Sequence, residues 1–173
     1  DISFTAQDSK IEIIMSILSN YVPECLVQAK VSCPLNAIPT QEGMSGAAFA
    51  KKIVKAIDIA NCESYRAVTH NKGIMNGVDA LILATGNDFR AIEAGVHAYA
   101  SRSGKYTSLS HASIKEGQFT MELTLPLAIG TVGGLTKLHP MVNWCMELLG
   151  YPSSNKLMEI IAVAGLAQNF AAL

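Results

Sequence analysis

His70-Asn71-Lys72-Gly73-Ile74-Met75-Asn76-Gly77, followed by Ala84-Thr85-Gly86-Asn87-Asp88, is the stretch on which the reading of this chain turns. It sets one lysine and one aspartate in glycine-rich, otherwise apolar surroundings, in what reads as a loop. Either charge buried alone would cost several kcal/mol or shift its pKa, whereas a Lys and an Asp in one pocket share that penalty and tune each other's proton affinity. Such a pair polarises a carbonyl at neutral pH. From pattern alone Lys72 also reads as a solvated surface charge, since separation along a chain does not establish contact.

Outward from this stretch the chain alternates between strand and helix signals. The isoleucine-rich run Ile11 to Leu18 suits a buried strand, and Val27, Ala29, Val31 and Cys33 alternate with polar neighbours as a half-exposed strand should. Pro34 and Pro39 bound a loop. From Ser45 to Ala60, Phe49, Ile53, Val54 and Ile57 recur at helical spacing opposite Lys51, Lys52 and Lys55. Ala80 to Ala84 reads as a short strand or a helix end. Asn87 or Asp88 caps a helix to about Arg102, stopped by Gly104, so Asp88 is a cap, a partner of Lys72, or both. Phe119 to Leu125 alternates as a strand, paired with Tyr106 to His111 across a turn near Gly117. Gly130, Gly133 and Gly134 make a turn. Pro140 then opens a short helix ending at Gly150, and Ser153 or Ser154 caps a last helix toward Phe170. The class is α+β in one compact unit.

The bulk properties narrow the function classes. A chain of 173 residues with 50% hydrophobic content buries a real core. Its formal net charge of -1, from 13 basic and 14 acidic residues, provides no broad field for nucleic acid or anionic membrane. Mean hydropathy is high at +0.28, yet the charge-free stretches Leu123 to Thr136 and Ile160 to Leu173 fall short of a membrane span. The excess apolar surface therefore points to a partner subunit or to further parts of the protein. Cys25, Cys33, Cys62 and Cys145 have neither CxxC nor metal-ligand spacing and read as reduced residues of a cytoplasmic protein, and no metal site is expected.

Beyond physical pattern, the wording of the lysine block and the following Ala84-Thr85-Gly86-Asn87-Asp88 resembles class II, bacterial-type 3-hydroxy-3-methylglutaryl-coenzyme A reductases. Ile17-Leu18-Ser19-Asn20, Tyr65 to His70, His97 to Arg102, Val132-Gly133-Gly134 with Thr136-Lys137, and Gly165 to Asn169 match further blocks of that family in order. The resemblance spans nearly the whole chain. It implies a helix-rich large domain with mixed strands, and a small cofactor domain inserted into it. Residues 1–20 would close the cofactor domain, and 21–173 would form part of the large substrate-binding and catalytic domain.

What the resemblance implies chemically is reduction of a thioester to an alcohol with two hydrides from NADPH or NADH, through a hemithioacetal and an aldehyde, converting the substrate to mevalonate and coenzyme A. Lys72 would be the ammonium that stabilises negative charge developing on the carbonyl oxygen. Asp88 would keep it charged and oriented. Arg66 would meet the substrate's free carboxylate, as a planar guanidinium does bidentately. Asn76, Gln168 and Ala172 match substrate-pocket positions, and Asn20 matches one at the junction with the cofactor. His70 reads as structural, because the family's proton-donating histidine lies in a Gly-His-Met segment. Family members are homodimers or larger, with sites built from two subunits.

Three family blocks are missing: Glu-Asn-Val-Ile-Gly, Asp-Ala-Met-Gly-Ala-Asn and Gly-His-Met. The resemblance thus implies a central fragment, inactive on its own, with the choice between NADH and NADPH and the direction of the reaction open. Two rival readings stand beside it. One is an enzyme in which Lys72 forms a Schiff base with a carbonyl substrate. The other is a non-catalytic dimerisation or binding module of the same fold.

Overall fold

Alternation of apolar and polar residues makes strands where the sequence places it. The computed structural model describes residues 13–38, 40, 43–133 and 138–173. Strand β3 (Gln118–Pro126) turns Phe119, Met121, Leu123 and Leu125 into the core. It pairs antiparallel with β1 (Leu26–Pro34) on one side and β2 (Ser110–Lys115) on the other, giving the order β1-β3-β2. On the opposite, polar face Lys30 lies across from Glu122 at 4.0 Å, and the Ser32 and Thr120 hydroxyls share a hydrogen bond of 2.7 Å. The β2–β3 hairpin closes through Glu116 and Gly117, both at positive φ (50° and 76°), the conformation a two-residue hairpin turn requires. Tyr106 to Leu109 precede β2 rather than belonging to it. Thr107 N donates to the Ala100 carbonyl at 3.1 Å and the Tyr106 hydroxyl meets His97 Nδ1 at 2.8 Å, while Leu109 N donates to Asn71 Oδ1 at 3.0 Å and the Leu109 carbonyl accepts from Thr124 N of β3 at 3.4 Å.

Five helices complete the described chain: α1 (Gly46–Cys62), α2 (Ser64–Ala84), α3 (Phe89–Ala100), α4 (Pro140–Leu148) and α5 (Ser154–Ala172). A 3-10 turn, Leu35–Ala37, links β1 toward α1. The caps read at Asp88 and Ser153 and the Pro140 opening are present, and Ser45 adds one that had not been read. The Ser45 side chain accepts from Ala48 N, Asp88 from Arg90 N and Ala91 N, and Ser153 from Lys156 N, while Pro140 opens α4. Helix α1 buries Ala50, Ile53, Ile57 and Ala60 and exposes its three lysines. The core lies between the apolar sheet face and the helices, with Met121, Leu123, Leu125, Ile57, Ile74, Val78, Ile82, Leu157 and Ile161 fully enclosed.

Two further expectations are corrected. The lysine block is not a loop: Gly73 and Gly77 sit inside the 21-residue helix α2. Gly77 is there for close packing, since a methyl group added to it would lie 2.9 Å from Gln168 Cβ and 3.0 Å from the Ala164 carbonyl oxygen of α5. Gly165 returns the contact from α5, where a methyl would meet Val78 Cγ2 at 2.9 Å. Ile11 to Leu18 is not a buried strand over its described part. Residues 13–20 have no regular structure, and Ile17 and Leu18 are 77% and 95% exposed, because no described element packs on them. Ile11, Pro39 and the Gly134 to Lys137 part of the glycine turn lie outside the described residues.

Candidate active site

Helix α2 carries four of the singled-out side chains, and its 3.6-residue period decides which of them meet. Lys72 and Asn76, four residues apart, lie on one exposed face. With its amide oxygen toward the lysine, Asn76 accepts from Lys72 Nζ at 3.2 Å, and its nitrogen donates to the Lys72 carbonyl at 3.3 Å. The ammonium is thereby held by a neutral amide.

Asp88 is not its partner within the chain. From Lys72 to the end of α2 at Ala84 the helix rises about 18 Å, and Asp88 follows that end as the exposed N-cap of α3. Its Oδ1 accepts from Arg90 N and Ala91 N at 3.0 and 3.3 Å and lies 3.7 Å from Arg90 Nε. The buried Lys–Asp pair read from the sequence is therefore absent among the described residues. A continuous helix is a rigid spacer, which a glycine-rich loop would not have been.

Half-buried Arg66 lines a cavity of about 140 Å³ between α2 and α5, together with Thr69, His70, Gly73, Asn169, Ala172 and Leu173. The fold thus joins Arg66 with Ala172 across 106 residues of chain and sets Gln168, whose Cβ packs on Gly77, one turn before Ala172. Gln168 and Ala172 are both exposed, and the Gln168 amide has no hydrogen-bond partner among the described residues. Asn20 is exposed and lies apart, its carbonyl facing Gly95 of α3 where an added methyl would come within 2.9 Å.

Behind the Arg66 cavity lies a buried network that sequence reasoning missed. His70 Nε2 is 2.7 Å from Ser110 Oγ, and Ser110 Oγ donates to Asn169 Oδ1 at 2.8 Å, tying α2, β2 and α5 together. Burial, and then the Arg66 charge, hold the His70 pKa down at about 4, so the ring is neutral at pH 7. The structural reading of His70 fits its Nε2 edge. Asn169 stands in a block noted from the sequence, but nothing local marks Ser110. A second unforeseen feature is Asp79, one helical turn beyond Asn76. Burial and then the hydrogen bond and charge of Glu93 push its carboxyl up to about 7, and its Oδ1 is buried without a partner among the described residues. Among the described residues no three His, Cys, Asp or Glu side chains gather as a metal set, and no helix is long and apolar enough to cross a membrane.

Comparison with known proteins places this geometry. The family model for hydroxymethylglutaryl-coenzyme A reductase matches residues 2–173. The chain is 38% identical over 162 residues to the 3-hydroxy-3-methylglutaryl-coenzyme A reductase of Archaeoglobus fulgidus, covering 94% of this chain and 36% of that protein. It is 37% identical over 163 residues to the probable reductase of Borreliella burgdorferi, covering 94% and 37%. A solved reductase of Streptococcus pneumoniae superposes with a TM-score of 0.87 at 46% identity, covering 92% of this chain and 38% of that one. The class II enzyme of the same organism, solved bound to NADPH in open conformations, gives 0.87 and 46%, covering 92% and 43%. The chain thus spans little more than a third of the length of the curated relatives it matches.

Proposed function

We propose a function from the premise that this chain belongs to the hydroxymethylglutaryl-coenzyme A reductase family. The protein that carries it reduces 3-hydroxy-3-methylglutaryl-coenzyme A to mevalonate and coenzyme A with two equivalents of NADPH or NADH. The observation that carries this reading is the placement of Arg66 and Lys72 on one helix. Six residues separate them, about 9 Å of rise, with two long side chains to close the span. An anion anchor and an exposed ammonium at that distance suit the two ends of a five-carbon acid whose other end is a thioester.

Lys72 donates to the thioester oxygen. As charge develops on that oxygen the ammonium interaction strengthens, which lowers the barrier more than it tightens substrate binding. Asn76 holds the ammonium in place, Arg66 pairs with the free carboxylate, and Gln168 and Ala172 line the α5 side. Asn20 is the described residue that fits a nicotinamide, since its amide is exposed on a segment seated against Gly95. When bound, the cofactor supplies the hydride. Residues 1–20 are assigned to the end of the cofactor domain and 21–173 to the large domain. The exposed apolar run from Ile13 to Leu18 supports that division.

Asp88 enters the site from a second copy of the chain. The rigid span of α2 holds it away from Lys72 of its own chain, and both side chains are exposed. Exposed Tyr65, Val68 and Leu83 on α2 support a homodimer there. A cytoplasmic location is supported by the four free cysteines.

Nicotinamide oxidation with the thioester substrate, followed in the full-length protein and its Lys72→Ala variant, tests the reading. Loss of the oxyanion donor is expected to lower kcat about a hundredfold or more. Equal rates in both proteins would remove Lys72 from the chemistry.

A further inference from the structure

We infer that His70 determines specificity in the Arg66 cavity, its Nδ1 accepting a hydrogen bond from a hydroxyl group on the acyl ligand whose carboxylate Arg66 holds. The inference rests on the proposed function and adds a residue to it.

The hydrogen-bond chain behind the cavity fixes the tautomer. Ser110 has one hydroxyl proton and gives it to Asn169 Oδ1 at 2.8 Å, so at 2.7 Å from His70 Nε2 it acts as the acceptor. His70 therefore carries its proton on Nε2. A neutral imidazole protonated there presents a bare lone pair at Nδ1, and the lowered His70 pKa keeps the ring neutral throughout the physiological range. Only Asn169 Nδ2, 3.4 Å from Nε2, approaches otherwise, and that contact is long.

Nδ1 has no partner among the described residues, and the residue is only 3% exposed, so bulk water does not satisfy it. A buried acceptor left in that state is costly, and native interiors rarely keep one without a reason. The other wall of the same cavity is unpaired in the complementary sense. The Arg66 guanidinium, one turn earlier on α2, makes no hydrogen bond or ion pair among the described residues, and its charge is felt at the ring. Arg66 and His70 both line this cavity, and of the two ring nitrogens Nδ1 is the one left for a ligand to reach. A ligand that satisfies both must bring an anion and a hydroxyl a few bonds apart, which is a short hydroxy acid. A purely structural histidine has no use for the second edge, because the Nε2 bond alone joins α2 to β2 and α5.

Two substitutions separate the edges. Glutamine reaches the Nε2 position and keeps a donor for Ser110, but places nothing at Nδ1. Titration calorimetry on the full-length protein would compare 3-hydroxy-3-methylglutarate with 3-methylglutarate, in wild type, His70→Gln and Arg66→Ala. The wild type is expected to prefer the hydroxylated acid about tenfold, the value of one buried hydrogen bond. His70→Gln should lose that preference while binding 3-methylglutarate as before, and Arg66→Ala should weaken both acids alike. A wild type that binds the two acids equally, or a His70→Gln protein that keeps the preference, overturns the inference, and thioester turnover by that wild type leaves the proposed function standing. Binding of neither acid sinks the inference together with the Arg66 assignment. Should His70→Gln not fold, nitrogen NMR of the wild-type histidine decides. The Nδ1 resonance must shift with the hydroxylated acid and stay in place with 3-methylglutarate, and equal shifts with both acids refute the inference.

Discussion

Replacing Gly77 by alanine puts a methyl group 2.9 Å from Gln168 Cβ and 3.0 Å from the Ala164 carbonyl oxygen, while the same change at Gly73 meets nothing within 4 Å. Both glycines lie inside α2, so each substitution gains up to about 1 kcal/mol of helix propensity. At Gly73 that gain stands alone. At Gly77 neither neighbour is the far end of a flexible side chain, so α5 must move, and overpacking of this kind costs about 1–3 kcal/mol. The net expectation is a gain of about 0.5–1 kcal/mol for Gly73→Ala and a loss of about 1–2 kcal/mol for Gly77→Ala. Urea unfolding of the full-length variants, followed by far-ultraviolet circular dichroism, should order the midpoints Gly73→Ala, wild type, Gly77→Ala. A Gly77→Ala protein as stable as Gly73→Ala would refute the close α2–α5 packing from which the argument starts.

Mixed dimers test the two-chain site. Lys72→Ala and Asp88→Ala subunits, each inactive alone, should together recover about a quarter of wild-type activity, because half the dimers are mixed and each has one intact site; no recovery on co-folding would return both residues to one chain. Asp79 gives stability a pH dependence of known sign. Its folded pKa, about 7, lies above the unfolded 3.8, so the folded state binds more protons and stability falls as pH rises between those values. Asp79→Asn should flatten that part of a thermal unfolding profile, and an unchanged slope would contradict the placement of Asp79 against Glu93.

Much of the architecture was legible because its signals are local. Asp88 and Ser153 sit where free amide groups of a helix need an acceptor, the Phe119 to Leu125 alternation follows the pleat, and Ile53 and Ile57 repeat at the helical period. The site was legible as a set of residue types, since a lysine, an amide and an arginine within eleven positions are a fact of sequence. The lysine block misled because two glycines in five residues lower helix propensity, and a partner helix that begins at Ser154, about 250 Å of extended chain further on, could not be read from them.

Ile11 to Leu18 misled similarly, since a strand pattern has no effect where no neighbour completes it. Local pattern alone was enough for the helix after Ser45, the Phe119 to Leu125 strand, the helix opened by Pro140, the last helix after Ser153, and the family blocks that the chain carries. It took the packed fold to make α2 one rigid helix holding Lys72 apart from Asp88, to bring Arg66 and Ala172 into one cavity, and to join His70 to Ser110 and Asn169 in a buried network. The reason is physical. Periodicity and caps act within a few residues, whereas distances between side chains far apart in the chain follow from how packed elements fit against one another.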